Sequence, residues 1–148
     1  MRLLEFEAKE ILKKYGIELP AGQIVSAVNN FNFSVPVVLK AQVPVGGRSK
    51  AGAIQHVSSI AEAKATANTL LSMEVKGYSV KAVLAEEICC IEKEYYLACL
   101  SDKELNRFMI IASAAGGIDI EVMIRKSQKK QVNIFIVKNL RFMGAPFS

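Results

Sequence analysis

The sequence predicts an α+β fold, in which helices flank β-sheets, and three features of the chain indicate it. The first residues carry apolar side chains at helical spacing, a capping motif at residues 59–62 opens a second helix, and most other apolar segments have the length and composition of strands. The chain has 148 residues, 51% of them hydrophobic. That is enough for one compact core or two small lobes.

The N-terminal segment LLEFEAKEILKKYGI predicts the first helix. Its glutamates lie early and its lysines late, which suits the helix dipole, and Gly16 is the expected end of the helix. The apolar positions that recur at helical spacing are Leu4, Ala8, Ile11, Leu12 and Tyr15.

Three strands are predicted next. QIVSA (23–27) is short, and VPVVLKAQV (35–43) is rich in β-branched residues and is expected to be buried. AIQHV (53–57) has the pattern of a return strand. The glycine-rich stretch GGRSKAG (46–52) therefore lies where a hairpin turns.

The rest of the chain reads as one helix followed by strands. Ser59 and Glu62 form a capping box, and we expect this helix to end near Met73. Its apolar face carries Ala63, Ala67, Leu70 and Leu71. Strands are expected at 80–88, 93–101, 107–114 and 131–137, with IDIEVMI (118–124) as a helix or strand and RKSQKK (125–130) as a solvated basic run.

Composition excludes several classes of protein. The formal charge is +5, but charges of both signs are mixed, so the balance favours an anionic ligand without selecting nucleic acid. Three cysteines and one histidine, His56, fit neither a disulfide framework nor a zinc site, and we expect Cys89 and Cys90 to be reduced thiols that pack rather than react. No apolar run approaches a membrane span, and the N-terminus lacks the long apolar stretch of a signal peptide, so we expect a soluble intracellular protein. Its expected location is the cytoplasm or, for the mature form of a eukaryotic protein, the mitochondrial matrix.

GGRSKAG has two interpretations on residue types alone. Glycines allow backbone N–H groups to approach an anion while Arg48 and Lys50 supply charge, but the stretch matches neither the P-loop nor the dinucleotide fingerprint. An ordinary glycine-rich hairpin tip explains it as well.

Lys40 favours the phosphate interpretation. A lysine within an apolar strand is costly unless its ammonium reaches water or an anionic partner, and alternation places Lys40 on one face with Val38 and Gln42. The alternative is an edge strand on which Lys40 faces solvent. Carboxylates that could bind ribose hydroxyls or pair with lysines follow at Glu86, Glu87, Glu92 and Glu94, although exposed glutamates at strand ends are common. His56 could be phosphorylated, but its strand position favours a packed histidine.

Four segments, taken in order, resemble the β subunit of succinyl-CoA synthetase, the ADP- or GDP-forming succinate–CoA ligase. They are LLEFEAKEILKKYGI, VVLKAQVPVGGRSKAG, EKEYYL and IIASAAGGIDIE, which together extend from residue 1 to about residue 121. The resemblance implies an ATP-grasp fold, whose two α+β lobes clamp a nucleotide. It implies that residues 1–148 are the N-terminal part of that domain, with about 20–100 as the small nucleotide-binding lobe and 1–19 and about 101–148 in the second lobe.

The resemblance also implies roles for individual residues. Lys40 corresponds to the lysine that contacts the nucleotide phosphates, and Gly47, Arg48 and Ser49 fall on the phosphate-loop positions, although the family usually has glycine where Ser49 stands. One of Glu86 and Glu87 corresponds to the hinge glutamate that meets base and ribose. The second nucleotide-site glutamate corresponds to Glu94.

The remaining family parts are expected outside this sequence. The resemblance implies that the asparagine and aspartate that hold Mg²⁺, and the whole CoA-ligase domain, lie beyond residue 148, while the catalytic phosphohistidine belongs to the α subunit. In the complete enzyme, succinate, CoA and ATP or GTP would give succinyl-CoA, ADP or GDP, and phosphate, through an acyl phosphate and a phosphohistidine. We therefore expect a fragment or truncated product that binds nucleotide and has no catalytic residue or turnover of its own.

Three other functions stay open at this point. The chain could be a non-catalytic domain that binds nucleotide weakly or pairs with another subunit, or part of another acid–CoA ligase, such as a malate–CoA ligase. A nucleic-acid module would need a basic stripe with interleaved aromatic residues, which the sequence lacks.

Overall fold

The computed structural model describes residues 2–28, 32–102, 107–116 and 134–138, with the backbone alone for 99–102, 107–109 and 134–138. These residues form two compact units, Met1–Cys89 and Cys90–Ser148. The predicted segments IDIEVMI and RKSQKK lie outside the described residues. Residues 1–19, expected with the second lobe, fall in the first unit; which lobe of a complete domain they join stays a prediction.

The first unit is built on a four-stranded antiparallel sheet. Its strands are β1 (Gly22–Val25), β2 (Val37–Ala41), β3 (Ile54–Val57) and β6 (Val83–Glu87), in the spatial order β1-β6-β2-β3. The predicted strands are confirmed, and so is the β2–β3 hairpin that carries GGRSKAG. Because β2 lies between β6 and β3, the alternative of an edge strand for Lys40 is wrong.

One face of this sheet forms the core. Helix α2 (Ile60–Leu71) begins at Ser59, whose hydroxyl accepts from the Glu62 N–H, while the Glu62 carboxylate accepts from Ser58. The helix buries Ala63, Ala67 and Leu70, as predicted, against a set of apolar side chains that point to the same face of the sheet. That set includes Val25, Val37, Leu39, Ala41, Val57, Val83 and Ala85. Strand alternation therefore directs Val38, Lys40, Leu84 and Glu86 to the opposite face.

Helix α1 (Glu5–Lys14) has its predicted limits and stops at Gly16, whose φ is +77°. No residue of this helix is fully buried. The Phe6 N–H in its first turn donates to the side chain of Gln42, just beyond β2. This contact connects the start of the helix to the sheet.

The structure contains a short hairpin that the sequence patterns did not predict. Strands β4 (Glu74–Val75) and β5 (Tyr78–Ser79) pair around Lys76 and Gly77, both in the left-handed region with φ of 51° and 83°. Two-residue strands are too short to show a period, and lysine is not a usual residue at that turn position.

The second unit contains an antiparallel sheet in the order β7-β8-β9, with β7 at Tyr96–Asp102, β8 at Arg107–Ser113 and β9 at Ile134–Lys138. Its strands match the predicted segments within the described residues. The predictions of packed side chains were wrong for Cys89, Cys90 and His56, which are all exposed. His56 lies on β3, at the edge of the first sheet.

We predict that the conformation of the hairpin tip depends on Gly47. Its φ of +81° is unfavourable for a residue with a Cβ, so Gly47→Ala should lower the free energy of unfolding by about 1–2 kcal/mol in urea titrations. Gly46→Ala is the matched control, because Gly46 has ordinary φ and open space around it, and should change stability by less than about 0.5 kcal/mol. Equal effects of the two substitutions would contradict the assignment.

Candidate functional site

The sheet face opposite the core carries ionised side chains. Lys40 extends from β2, its direct cross-strand neighbours are Ile54 and Leu84, and its side chain is 20% exposed. The Lys40 ammonium lies 2.5 Å from a carboxylate oxygen of Glu86 and 3.1 Å from one of Glu5. The sequence predicted that this lysine needs an anionic partner, and the structure provides two, Glu5 and Glu86.

Glu86 is the most deeply buried charge in this arrangement. Its side chain is 4% exposed, and its second oxygen accepts from the ammonium of Lys9 on α1. A buried carboxylate is stable only when cations or hydrogen-bond donors surround it, and two ammonium groups meet that need here. Glu87, one residue on, points to the other face and is exposed.

Arg48 reaches the same place from the glycine-rich hairpin. One guanidinium nitrogen donates to the Ala41 carbonyl at 2.9 Å, and another donates to Glu5 at 2.6 Å. The tip holds its shape through backbone bonds, among them Gly52 N–H to Ser49 and Ala53 N–H to Arg48. Ser49 is exposed and has ordinary φ, so a serine fits where the family usually has glycine.

Glu5 forms ion pairs with both Lys40 on β2 and Arg48 in the hairpin. One carboxylate oxygen faces Lys40 at 3.1 Å and Lys9 at 3.4 Å, and the other accepts from Arg48. We call Glu5, Lys9, Lys40, Arg48 and Glu86 the charge cluster. Its three cations and two carboxylates leave one positive charge in excess.

Electrostatic contacts shift two of these groups. Burial opposes ionisation of Glu5, but the hydrogen bond from Arg48 and the charges of Lys40 and Arg48 outweigh burial and place the pKa of Glu5 below its ordinary value of 4.5. Burial likewise disfavours charged Lys40, yet its hydrogen bond to Glu86 and the nearby Glu5 raise the pKa of Lys40 above its ordinary 10.5. Both groups are therefore ionised at neutral pH.

A cleft of about 770 Å³ opens beside the charge cluster. Lys9 and Glu86 line it, as do the apolar side chains of Phe6, Ile24 and Leu84. This volume is within the usual range for small-molecule sites, which are mostly apolar with a few polar groups.

The structure brings together three of the residues singled out from the sequence, Lys40, Arg48 and Glu86. Gly47 and Ser49 lie exposed in the same hairpin, whereas Glu94 is exposed in the second unit, where its carbonyl accepts from the Gly116 N–H. Whether these residues bind nucleotide stays a prediction.

Sequence reasoning missed Glu5, Lys9 and Lys76. The first two belong to a helix that the pattern predicted well, but nothing in the helix itself marks them as partners of β2 and β6. Lys76 lies in the missed hairpin, and its ammonium is 3.1 Å from where a Cβ on Gly47 would stand. The only usable signal was the strand lysine itself, which required an anion from elsewhere in the chain.

Neither a metal nor a membrane site is seen in the described residues. They include no group of three or more His, Cys, Asp or Glu side chains placed to hold a metal ion. The Glu5 and Glu86 carboxylates already contact cations, so this donor set does not suit Mg²⁺. None of the helices in the same part of the chain is long and apolar enough to cross a membrane.

A cationic sheet face beside a glycine-rich hairpin is typical of proteins that bind phosphorylated ligands. The chain belongs to the ATP-grasp family, since the family model, described as an ATP-grasp domain, matches residues 2–144. The α+β prediction and the predicted ATP-grasp fold are thereby confirmed.

The resemblance to succinate–CoA ligase is also confirmed. The chain is 45% identical over 139 residues to the ADP-forming succinate–CoA ligase β subunit of Methanocaldococcus jannaschii, matching 92% of this chain and 38% of that protein. The corresponding subunit of Desulfurococcus amylolyticus is 39% identical over 150 residues, matching 97% and 40%. The chain thus spans less than half the length of these relatives.

A solved structure supports the fold. The dinucleotide-forming acetyl-coenzyme A synthetase 1 of Ca. Korarchaeum cryptofilum superposes with a TM-score of 0.61 at 22% identity, over 81% of this chain and 55% of that one.

We predict that acid weakens the fold through Glu5. A carboxyl whose pKa is lowered on folding contributes stability above its unfolded value of 4.5, and that contribution is lost as the pH falls through the lower, folded value. The free energy of unfolding of wild type should therefore fall more between about pH 7 and about pH 3 than that of Glu5→Gln, which cannot titrate there. The same loss in both proteins, measured in urea, would contradict this role.

Proposed function

We propose that this chain is the nucleotide-binding portion of an acid–CoA ligase. The complete enzyme would convert succinate, CoA and ATP or GTP to succinyl-CoA, ADP or GDP, and phosphate, with an α subunit as partner and Mg²⁺ held outside the described residues. The observation that carries the proposal is that Lys40 and Arg48 both pair with the Glu5 carboxylate, in a chain of the ATP-grasp family.

The charge cluster suits the phosphates. Lysine and arginine bind phosphate oxygens through charge-assisted hydrogen bonds, and both side chains here remain about one-fifth exposed, at 20% and 21%, so a ligand can reach them. Gly47 and Ser49 are exposed next to Arg48, and a glycine allows backbone N–H groups to come close to an anion. In phosphoryl transfer such cations stabilise charge on the departing diphosphate.

The adjacent cleft suits the nucleoside. Apolar Phe6, Ile24 and Leu84 offer a surface for a base, and the carboxylates of Glu86 and Glu87 in its lining are acceptors for ribose hydroxyls. Of this pair, we favour Glu86 as the hinge residue, because it lies on the sheet face of Lys40, whereas Glu87 points to the opposite face. Glu94 is proposed as a second nucleotide contact through the family resemblance alone.

The choice of succinate rests on the relatives that share 39% and 45% of the aligned residues. No described residue of the charge cluster distinguishes one carboxylic acid from another, so another acid–CoA ligase would use the same nucleotide site.

Calorimetry with ATP tests the nucleotide site. Lys40→Met and Arg48→Met keep an apolar stem but lose the charge, and each should weaken ATP binding about tenfold or more, the effect of losing one hydrogen bond to a charged group. Binding should persist in EDTA, because these contacts need no metal.

The matched control is Lys64→Met, which removes the same charge from the exposed side of α2 and should leave ATP affinity within about twofold. His56→Ala should also have no effect. Unchanged affinity in both Lys40→Met and Arg48→Met, with the fold intact by circular dichroism, would overturn the proposal.

A further inference from the structure

Glu5 occupies the position in the charge cluster where an anionic ligand would make its best contacts. Its two oxygens accept from Lys40 at 3.1 Å and Arg48 at 2.6 Å, so one carboxylate bridges the strand cation and the hairpin cation. Carboxylate and phosphate accept hydrogen bonds from these donors in the same forked geometry. A phosphate between Lys40 and Arg48 would therefore compete for the same donor atoms.

The two carboxylates of the charge cluster differ in their freedom to move. Glu86 is anchored in the middle of the sheet, is 4% exposed, and has both oxygens on ammonium groups. Glu5 lies at the first residue of α1, and its side chain is 19% exposed. A long side chain at a helix end can change rotamer without moving the backbone, so Glu5 is the carboxylate that can leave.

The start of α1 is also held by a contact that does not involve Glu5. The Phe6 N–H donates to Gln42, a buried residue whose own amide donates to the Lys40 carbonyl. Release of Glu5 would therefore leave the helix attached to the sheet beside Lys40. The exchange breaks the three partly exposed ion pairs that Glu5 makes with Lys9, Lys40 and Arg48. Such pairs are weak, and the incoming phosphate would replace those with Lys40 and Arg48, so the exchange costs little free energy.

We propose that the Glu5 carboxylate occupies a phosphate subsite between Lys40 and Arg48 in the free protein, and that a phosphate group of the ligand displaces it. This inference rests on the proposed nucleotide function and adds a regulatory role for a residue of α1. Glu5 keeps the two cations paired and correctly placed when no ligand is bound, and it lowers the affinity for any phosphate that cannot replace both contacts.

Calorimetry with inorganic pyrophosphate and with ATP tests the displacement in the full chain. Glu5→Gln removes the competing charge and should bind pyrophosphate about three- to tenfold more tightly than wild type. Glu5→Asp keeps the charge but is one methylene too short to bridge both cations, so it should also bind more tightly than wild type. Glu74→Gln, which removes an exposed carboxylate elsewhere in the first unit, should stay within about twofold.

Each outcome decides between the possibilities. If Glu5→Gln binds pyrophosphate more tightly but the affinity of Glu5→Asp equals that of wild type, electrostatic repulsion between the carboxylate and the ligand explains the effect. The displacement proposal is then wrong. If wild type binds ATP but Glu5→Gln binds pyrophosphate equally or less well, the proposed function stands and the subsite inference falls. If neither wild type nor a folded variant binds ATP or pyrophosphate, the proposed function fails and the inference fails with it.

Discussion

The burial of the Glu86 carboxylate is the constraint on which the charged half of this unit depends. An ionised group at 4% exposure is tolerated only with partners of opposite charge, and the sheet register supplies Lys40 from the neighbouring strand. The second oxygen needs another cation, which Lys9 brings from α1. Because Lys9 is in the middle of a helix, meeting that requirement places the first turn of α1, and with it Glu5, over β2. Arg48 then extends from its hairpin to pair with Glu5.

The two faces of the first sheet are held by different kinds of contact. One face packs Leu39 and its apolar neighbours against α2, and this layer has no ionised group in its core cluster. The other holds α1 through ion pairs and the Phe6–Gln42 hydrogen bond, with no buried apolar residue in the helix. Contacts between partly exposed charges are weak and exchangeable, whereas apolar packing is not. A change of ion partner on the charged face is therefore compatible with an intact apolar core on the other face.

The predictable part of this structure is encoded locally. Helical spacing, the Ser59 capping box and β-branched runs identified both helices and the longer strands, because each pattern is complete within about ten residues. The ion partners of Lys40 are not local: Glu5 and Glu86 lie 35 and 46 positions away in sequence. The choice between Glu86 and Glu87 also depends on register, since one step along β6 reverses the face. The sequence of residues 85–88 (AEEI) does not by itself determine how β6 pairs with β2.

The hairpin GGRSKAG resolves into parts with different physical roles. Gly47 adopts the left-handed backbone conformation, whereas Ser49 has an ordinary φ. The Arg48 guanidinium is fixed by the Ala41 carbonyl and by Glu5. An arginine held at two points has already lost much of its conformational freedom. In the proposed site its guanidinium would therefore be oriented before a phosphate binds, and less entropy would be lost on binding. The same contacts mean that two guanidinium nitrogens of Arg48 already donate hydrogen bonds, to the Ala41 carbonyl and to Glu5. A site that both orients its cations and pairs them internally gains selectivity for ligands with enough charge to replace the internal anion, and a nucleotide's phosphate chain is such a ligand.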